Sequence, residues 1–335
     1  MILRTGAAAL GLGLTGCQTA VKPTATVQAK PKQVLFFSKS SGYEHDMIKR
    51  KHGERSKAEN ILVELGDKHG IDFTFSKDGS LFTPHYLAQF DAYFFYTTGV
   101  LTEPGTDKQP PMTPEGKMAF LDAIKNGKGF VGTHSATDTF HTGEGNGVTA
   151  AEAPTRYKNY GEDADPYTRM IGAEFIRHGT QQKVHMRCVD KKFPGENAVP
   201  ADFAPLEEWY SLKDFSPNLH VLLVQETAGM KKDGSDSVYD RAPYPATWAR
   251  MYGLGRVFYT SMGHRDDVWT NPVFQDVLAG GLAWAVRNVD ADVSPNIKEV
   301  TPDCWNLPAD HEHEPKPKKV EEPKPAEKPE EKKAQ

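Results

Sequence analysis

Four side chains able to move a proton or hold a cation follow apolar runs: His45, His134, Asp138 and His264. His45 comes after Val34-Leu35-Phe36-Phe37, His134 and Asp138 after Phe130-Val131, and His264 after the run that ends at Ser261. Imidazole titrates near neutral pH and is the commonest metal ligand. Two chemistries fit. In one, His134 and His264 work as acid and base on a hydroxyl or carbonyl, oriented by Glu208 or Asp138. In the other, His45, His134 and His264 hold a divalent metal that polarises a substrate oxygen. No His-Glu-x-x-His spacing selects the metal, so the cofactor stays open between these two readings. With 12 histidines in the chain, proximity in sequence decides little. The elements that deliver them decide more.

The stretch Gly127 to Asp138 reads as a buried strand, Phe130-Val131, that ends in a polar turn. Gly129 and Gly132 permit close backbone approach. Before it, Pro114 to Asn126 carries a helical stripe of Met118, Ala119, Leu121, Ala123 and Ile124 behind a first-turn proline. Gln33 to Ser38, Ile71 to Ser76 and Asp91 to Thr97 read as further strands, and Glu54 to His69 as an amphipathic helix. Strand-helix alternation predicts a parallel, doubly wound α/β sheet whose strand ends form a ligand-binding rim. His134, Ser135 and Asp138 then stand on that rim. Thr139 to Tyr167 is a long aperiodic loop, of the kind that usually carries function. Beyond it we expect a short helix over Tyr167 to His178, strands over Gln181 to Val189 and Glu207 to Leu212, and a buried strand over Leu219 to Gln225. Pro245 to Met251 and Gly255 to Ser261 predict an antiparallel pair, and Pro272 to Arg287 a final helix.

The two ends read differently. Residues 1–17 resemble a lipoprotein signal peptide: Arg4, a short apolar run, and Leu14-Thr15-Gly16-Cys17 as a lipobox with Cys17 lipidated. That predicts an exported protein on the bacterial cell envelope, lipid-anchored on the periplasmic or outer-membrane face. Residues 18–32 read as a disordered tether and residues 309–335 as a disordered Lys/Glu/Pro tail, because neither can bury enough apolar surface to order itself. The folded body is expected over residues 33–308. A net charge of -5 with no basic stripe argues against nucleic acid as a partner.

Five segments in this order resemble the ThuA-like (trehalose utilisation) family: Ser41 to His45, Gly129 to Asp138, Glu207-Glu208-Trp209-Tyr210, Pro245 to Arg250, and Gly255 to His264. The resemblance implies a flavodoxin-like, class I glutamine amidotransferase-like fold. That is a three-layer α/β/α sandwich on a mostly parallel sheet with an antiparallel edge. It also implies a role in sugar catabolism, with processing of oxidised (3-keto) glycosides as the leading activity. Class I amidotransferases place a cysteine in a Gly-x-Cys-x-Gly elbow. Here Gly132-Thr133-His134-Ser135-Ala136 has histidine at that position, and the body's cysteines, Cys188 and Cys304, lie far away in sequence. A cysteine-dependent amidotransferase is therefore not expected. Ser135 lacks the flanking glycines of a serine elbow.

With a small carbohydrate as substrate, the expected catalytic set is His134, His264, Asp138 and Glu208. The expected substrate contacts are His45, Ser135, Trp209, Tyr210, Trp248, Arg250 and Arg265, since aromatic faces and forked donors suit sugars. A disulfide between Cys188 and Cys304 stays open for an exported chain. Two functions stay open as well: a sugar isomerase, lyase or hydrolase, and a non-catalytic carbohydrate-binding lipoprotein on the same fold.

Overall fold

The computed structural model describes residues 30–143 and 156–310; the lipobox, most of the tether, the middle of the long loop and most of the tail lie outside the described residues. In chain order the elements are β1 (Lys32–Phe37), α1 (Lys57–His69), β2 (Ile71–Ser76), α2 (Pro84–Leu87), β3 (Ala92–Phe95), α3 (Pro114–Lys125) and β4 (Gly129–Thr133). Then come α4 (Pro166–Ile171), β5 (Glu174–His178), β6 (Gln182–Lys183), β7 (Met186–Cys188), β8 (Leu206–Glu207), β9 (Tyr210–Lys213) and β10 (His220–Gln225). The chain closes with β11 (Tyr244–Tyr252), β12 (Gly255–Thr260), α5 (Asp266–Trp269), α6 (Pro272–Ala285) and α7 (Ile297–Val300).

Eight strands form one sheet in the order β2-β1-β3-β4-β12-β11-β10-β7. The five from β2 to β12 are parallel, and β11, β10 and β7 add on antiparallel. The strand order reverses between β1 and β3, which is where flavodoxin-like sheets open a crevice for ligands. The predicted sandwich and antiparallel edge are therefore what the chain forms.

Alternation along the strands feeds two cores. Val34 and Phe36 of β1 pack with Leu62 and Leu65 of α1 and with Val277 and Leu278 of α6. Leu35 and Phe37 pack on the other face with Phe120 and Ile124 of α3 and Met170 of α4. The helices start where their sequence says. Ser56 caps α1, accepting from the Glu59 amide at 3.3 Å while the Glu59 carboxylate accepts from the Ser56 amide at 2.8 Å. Such a cap contributes about 1 kcal/mol. Gly129 is required because a side chain there would meet the Ala285 carbonyl at 2.4 Å, so α6 can lie directly against β4.

Three expectations change between β4 and β10. The helix expected over Tyr167 to His178 is α4 followed by strand β5, because Gly172 turns left-handed (φ 102°) and stops the helix. The strand expected over Gln181 to Val189 is two short ones, β6 and β7. The strand expected over Glu207 to Leu212 breaks into β8 and β9, and the break falls at Glu208 and Trp209. That break frees Glu208 from the ladder and presents it to the rim. Strands β5 and β9 pair antiparallel, as do β6 and β8, so this insertion forms two small ribbons beside the main sheet. No helix of the described residues is long and apolar enough to cross a membrane.

Candidate metal and catalytic centre

Strands β1, β4 and β12 end on the same rim, and each hands a histidine to one point. His45, His134, Glu208 and His264 bring one ligand atom each to within 4.8 Å of one another. His134 lies at the bottom, fully buried. It sits at φ 45°, a left-handed conformation that costs a non-glycine residue about 1–3 kcal/mol and clusters at functional sites. Its carbonyl is tied down by the Tyr259 hydroxyl at 2.7 Å and Thr137 Oγ1 at 3.3 Å. Its ring packs on Tyr210 with centroids 4.2 Å apart.

The hydrogen bonds fix the tautomer of His134. Nδ1 lies 3.2 Å from the Ser261 carbonyl, which only accepts, so Nδ1 carries the proton. Nε2 is then a bare lone pair, 3.2 Å from His264 Nδ1 and 3.6 Å from Glu208 Oε2. His264 Nδ1 is in turn 3.1 Å from that Glu208 oxygen. The ring of His45 stands edge-on to both, at centroid distances of 4.8 Å and 5.3 Å. Its Nδ1 is buried and has no hydrogen-bond partner among the described residues. Tetrahedral zinc with bonds of about 2.0–2.1 Å spaces its donors about 3.4 Å apart. The donor spacing and the orphan nitrogen both fit a divalent cation held by three imidazoles and a carboxylate.

Electrostatics point the same way. Burial, joined by the neighbouring imidazoles, pushes His45 well below the usual histidine value. Burial also lowers His134, outweighing the nearby Glu208. Both are thus neutral ligands at pH 7, and the approach of His134 to Glu208 is not an ion pair. Burial works against ionisation of Glu208, yet the imidazoles around it, the raised His264 among them, hold its carboxyl well below the usual carboxylate range. Burial would lower His264, but Glu208 overrides it and raises that imidazole.

Glu207, one residue from Glu208, shapes the centre from behind. Its Oε2 accepts from the backbone amides of Gly263 at 2.9 Å and His264 at 3.2 Å, and its Oε1 from the Glu208 amide at 2.8 Å. The Gly263 carbonyl receives the Tyr96 hydroxyl at 2.8 Å and Trp269 Nε1 at 2.7 Å. The peptide that carries His264 is therefore clamped at both ends. Gly263 sits at φ 125°, and a side chain there would meet Thr133 Oγ1 at 2.7 Å, so only glycine fits. Burial pushes the Glu207 carboxyl up to about 7, against the amides of Gly263 and Glu208.

The centre opens on a cleft of about 660 Å³ lined by Tyr43, His45, Asp138, His178, Glu208 and His264, among others. A comparably large apolar groove between α2 and α3 holds no imidazole and is not the chemical site. Several expected substrate contacts do not reach the cleft, which corrects the sequence reading. Trp209 is fully buried and donates Nε1 to the Gln182 carbonyl at 2.8 Å. Trp248 is fully buried and donates to the Ile171 carbonyl at 2.8 Å. Arg250 is buried and caps α4 through the Arg169 carbonyl at 2.7 Å. Ser135 is buried, and its hydroxyl has no partner among the described residues. Arg265 pairs with Asp267 and Gln181 on the surface. Tyr210, His45 and Asp138 do line the cleft. Among the described residues Cys188 and Cys304 are free thiols and do not pair with each other. The sequence reading also missed Glu207, His141, Glu174 and Lys213. His141 and Glu207 lay within sight, three residues beyond Asp138 and one before Glu208; Glu174 and Lys213 needed the β5–β9 pairing to be found.

Fold and site together define a flavodoxin-like α/β protein with a histidine-carboxylate centre at its parallel strand ends. The chain belongs to the ThuA (trehalose utilisation) family, whose model matches residues 33–285. It is similar in fold to a ThuA-like protein from Bacteroides uniformis, at 20% identity and TM-score 0.58, over 83% of this chain and 100% of that one. It is also similar to a ThuA-like protein from Parabacteroides merdae, at 19% identity and TM-score 0.50, over 81% and 96%. No functionally curated protein matches. Family membership associates the chain with trehalose and sugar utilisation.

Proposed function

We propose that this chain is a sugar-processing enzyme that acts on a glycoside or an oxidised (3-keto) sugar through the centre of His45, His134, Glu208 and His264. One observation carries the reading: four donors from four separate segments converge within 4.8 Å of one another beneath an open cleft. A divalent metal bound there would act as a Lewis acid on a substrate carbonyl or hydroxyl oxygen. The residues do the rest. Ser261 fixes the tautomer of His134, Glu208 stays anionic, and the Glu207 clamp holds His264 in place. A carbonyl docked against this centre has an acidified C–H beside it. The supported reaction class is proton abstraction at that carbon, leading to isomerisation or to loss of the glycosidic oxygen. We place the enzyme on the bacterial cell envelope, anchored through Cys17.

The test is metal analysis of the purified chain together with a panel of glycosides and 3-keto-glycosides. We expect bound divalent metal and turnover of at least one keto-glycoside, and loss of both in His134→Ala and His264→Ala. Sugar binding without turnover across the panel would instead support a non-catalytic binding lipoprotein.

A further inference from the structure

A further imidazole, buried behind the cleft-lining Asp138, is wired quite differently. His141 Nε2 lies 2.7 Å from Asp138 Oδ1, and its Nδ1 lies 3.3 Å from Glu174 Oε1. A carboxylate at each ring nitrogen requires a proton on each, so this ring is an imidazolium. Glu174 is braced in turn by Lys213 Nζ at 3.0 Å and by Thr142, whose amide and hydroxyl donate to its other oxygen at 3.1 Å and 2.7 Å. Lys213 faces Glu174 across the β5–β9 ladder. Charges therefore alternate from the cleft wall inward: Asp138, His141, Glu174, Lys213. The last two side chains are almost fully buried, while that of Asp138 keeps 22% of its surface exposed.

Such a chain has one free end. The imidazolium has no lone pair to offer, and Glu174 is saturated by its donors. Asp138 Oδ1 faces His141, but Oδ2 makes no hydrogen bond among the described residues, and the residue lines the cleft. Its backbone is fixed as well, because its amide donates to the Ser135 carbonyl at 2.8 Å and its carbonyl accepts from the Gly99 amide at 2.7 Å. The arrangement reverses the usual triad, in which a carboxylate orients a histidine that does the work. Here the histidine orients a carboxylate. Of the other candidates for a base on this cleft, Glu208 and His264 are engaged with each other and with His134, and His178 holds its Nδ1 3.0 Å from the Gly179 carbonyl and 3.5 Å from Glu208.

We propose that Asp138 is the catalytic base that takes the proton next to the substrate carbonyl, and that His141, braced by Glu174 and Lys213, is its positioning residue. This rests on the function proposed above. In the step, an Asp138 lone pair takes the proton. The C–H electron pair becomes the C=C bond of an enol form, and the carbonyl π pair moves onto oxygen, which faces the His134–His264 centre. Asp138, now a carboxylic acid, returns the proton to the same carbon, or to the former carbonyl carbon as the adjacent hydroxyl passes its proton to the enolate oxygen and becomes the new carbonyl. No oxidant or further reactant enters.

The experiment follows deuterium exchange beside the carbonyl of a methyl 3-keto-glucoside in heavy water, by proton NMR, with the full chain carrying its metal. Wild type should exchange that hydrogen. Asp138→Asn should slow exchange and turnover by about 10²–10⁴-fold, the usual worth of a general base, with KM and bound metal nearly unchanged. Asp138→Ala should be partly rescued by added formate, which a purely structural residue would not show. His141→Gln should lower kcat more than KM while keeping the metal. Exchange at the wild-type rate in folded Asp138→Asn, or no formate rescue of a folded Asp138→Ala, overturns the assignment and leaves the metal centre standing. If Asp138→Asn does not fold, Asp138→Glu is read instead: kcat equal to wild type overturns the assignment, and a lower kcat at unchanged KM upholds it. No exchange by wild type overturns the proposed function, and this assignment with it.

Discussion

Two histidine-carboxylate clusters flank one cleft, and they satisfy their charges in opposite ways. Around Glu208 the imidazoles outnumber the carboxylates, His45 and His134 are held neutral, and a buried nitrogen has no partner. Around His141 the signs alternate, and the buried members are paired on every side. A cluster with unspent lone pairs is arranged for something that arrives later. A cluster with none is arranged to hold still. Buried charge is costly unless paired, so the second cluster is tolerable as it stands, whereas the first gains most from a bound cation. On the proposed function the difference also divides their parts: the centre would take the substrate oxygen, and the network would hold the Asp138 carboxylate on the same cleft.

Substitutions should separate the two. Glu208→Gln removes the one anion of the centre. We expect turnover to fall by about 10²–10⁴-fold, with bound metal lost and the melting temperature little changed; steady-state kinetics beside metal analysis and calorimetry check this. Glu174→Gln should do the reverse. It takes from Lys213 its nearest carboxylate and from His141 one of two, so that Asp214 and Asp138 balance these buried cations only in part; breaking such a buried pair costs about 3–5 kcal/mol of stability, read by denaturant unfolding, while metal content in the folded fraction is retained. Similar stability losses for both variants would erase the distinction.

Acidity should report on the network next. Burial disfavours the charged His141 ring, but Asp138 and Glu174 override it and raise the imidazolium to about 10. A raised folded value stabilises most below the unfolded value near 6.5, and the gain disappears as pH climbs through about 10. Glu174 runs the other way. Burial would raise it, yet His141 and Lys213 bring it down to about 2, so its contribution is full above about 4.5 and fades as pH falls towards about 2. Thermal melts from pH 6.5 to 10 should therefore slope down in wild type and flatten in His141→Gln. The smallest effect is expected at Arg265, which lies in neither cluster. Its exposed pairing with Asp267 predicts a change below about 1 kcal/mol for Arg265→Ala, with activity kept.

Much of this was legible before any coordinates. The parallel strands announced themselves as apolar runs with polar exits, so β1, β4 and β12 and the histidines after them fell where periodicity put them. Glu208 was named from its neighbours, but its position depends on a strand break that no period reveals. The misplaced contacts have a common cause. Trp209, Trp248 and Arg250 carry polar atoms that find backbone carbonyls inside the core, and sequence cannot distinguish such a tip from one facing a sugar. Lys213 and Glu174 were invisible because 38 intervening residues separate two halves of one pair, joined only by the β5–β9 ladder. Cys17 and its anchor lie outside the described residues and stand as proposals.

The most direct test is titration of the metal-stripped full chain with Co²⁺, followed by its visible absorption. Three imidazoles and a carboxylate predict saturation at one ion per chain with the d–d bands of a nitrogen- and oxygen-ligated site, abolished in His264→Ala and in Glu208→Gln but present in Glu174→Gln. A chain that takes up no Co²⁺, or whose spectrum is indifferent to His264 and Glu208, would contradict the account.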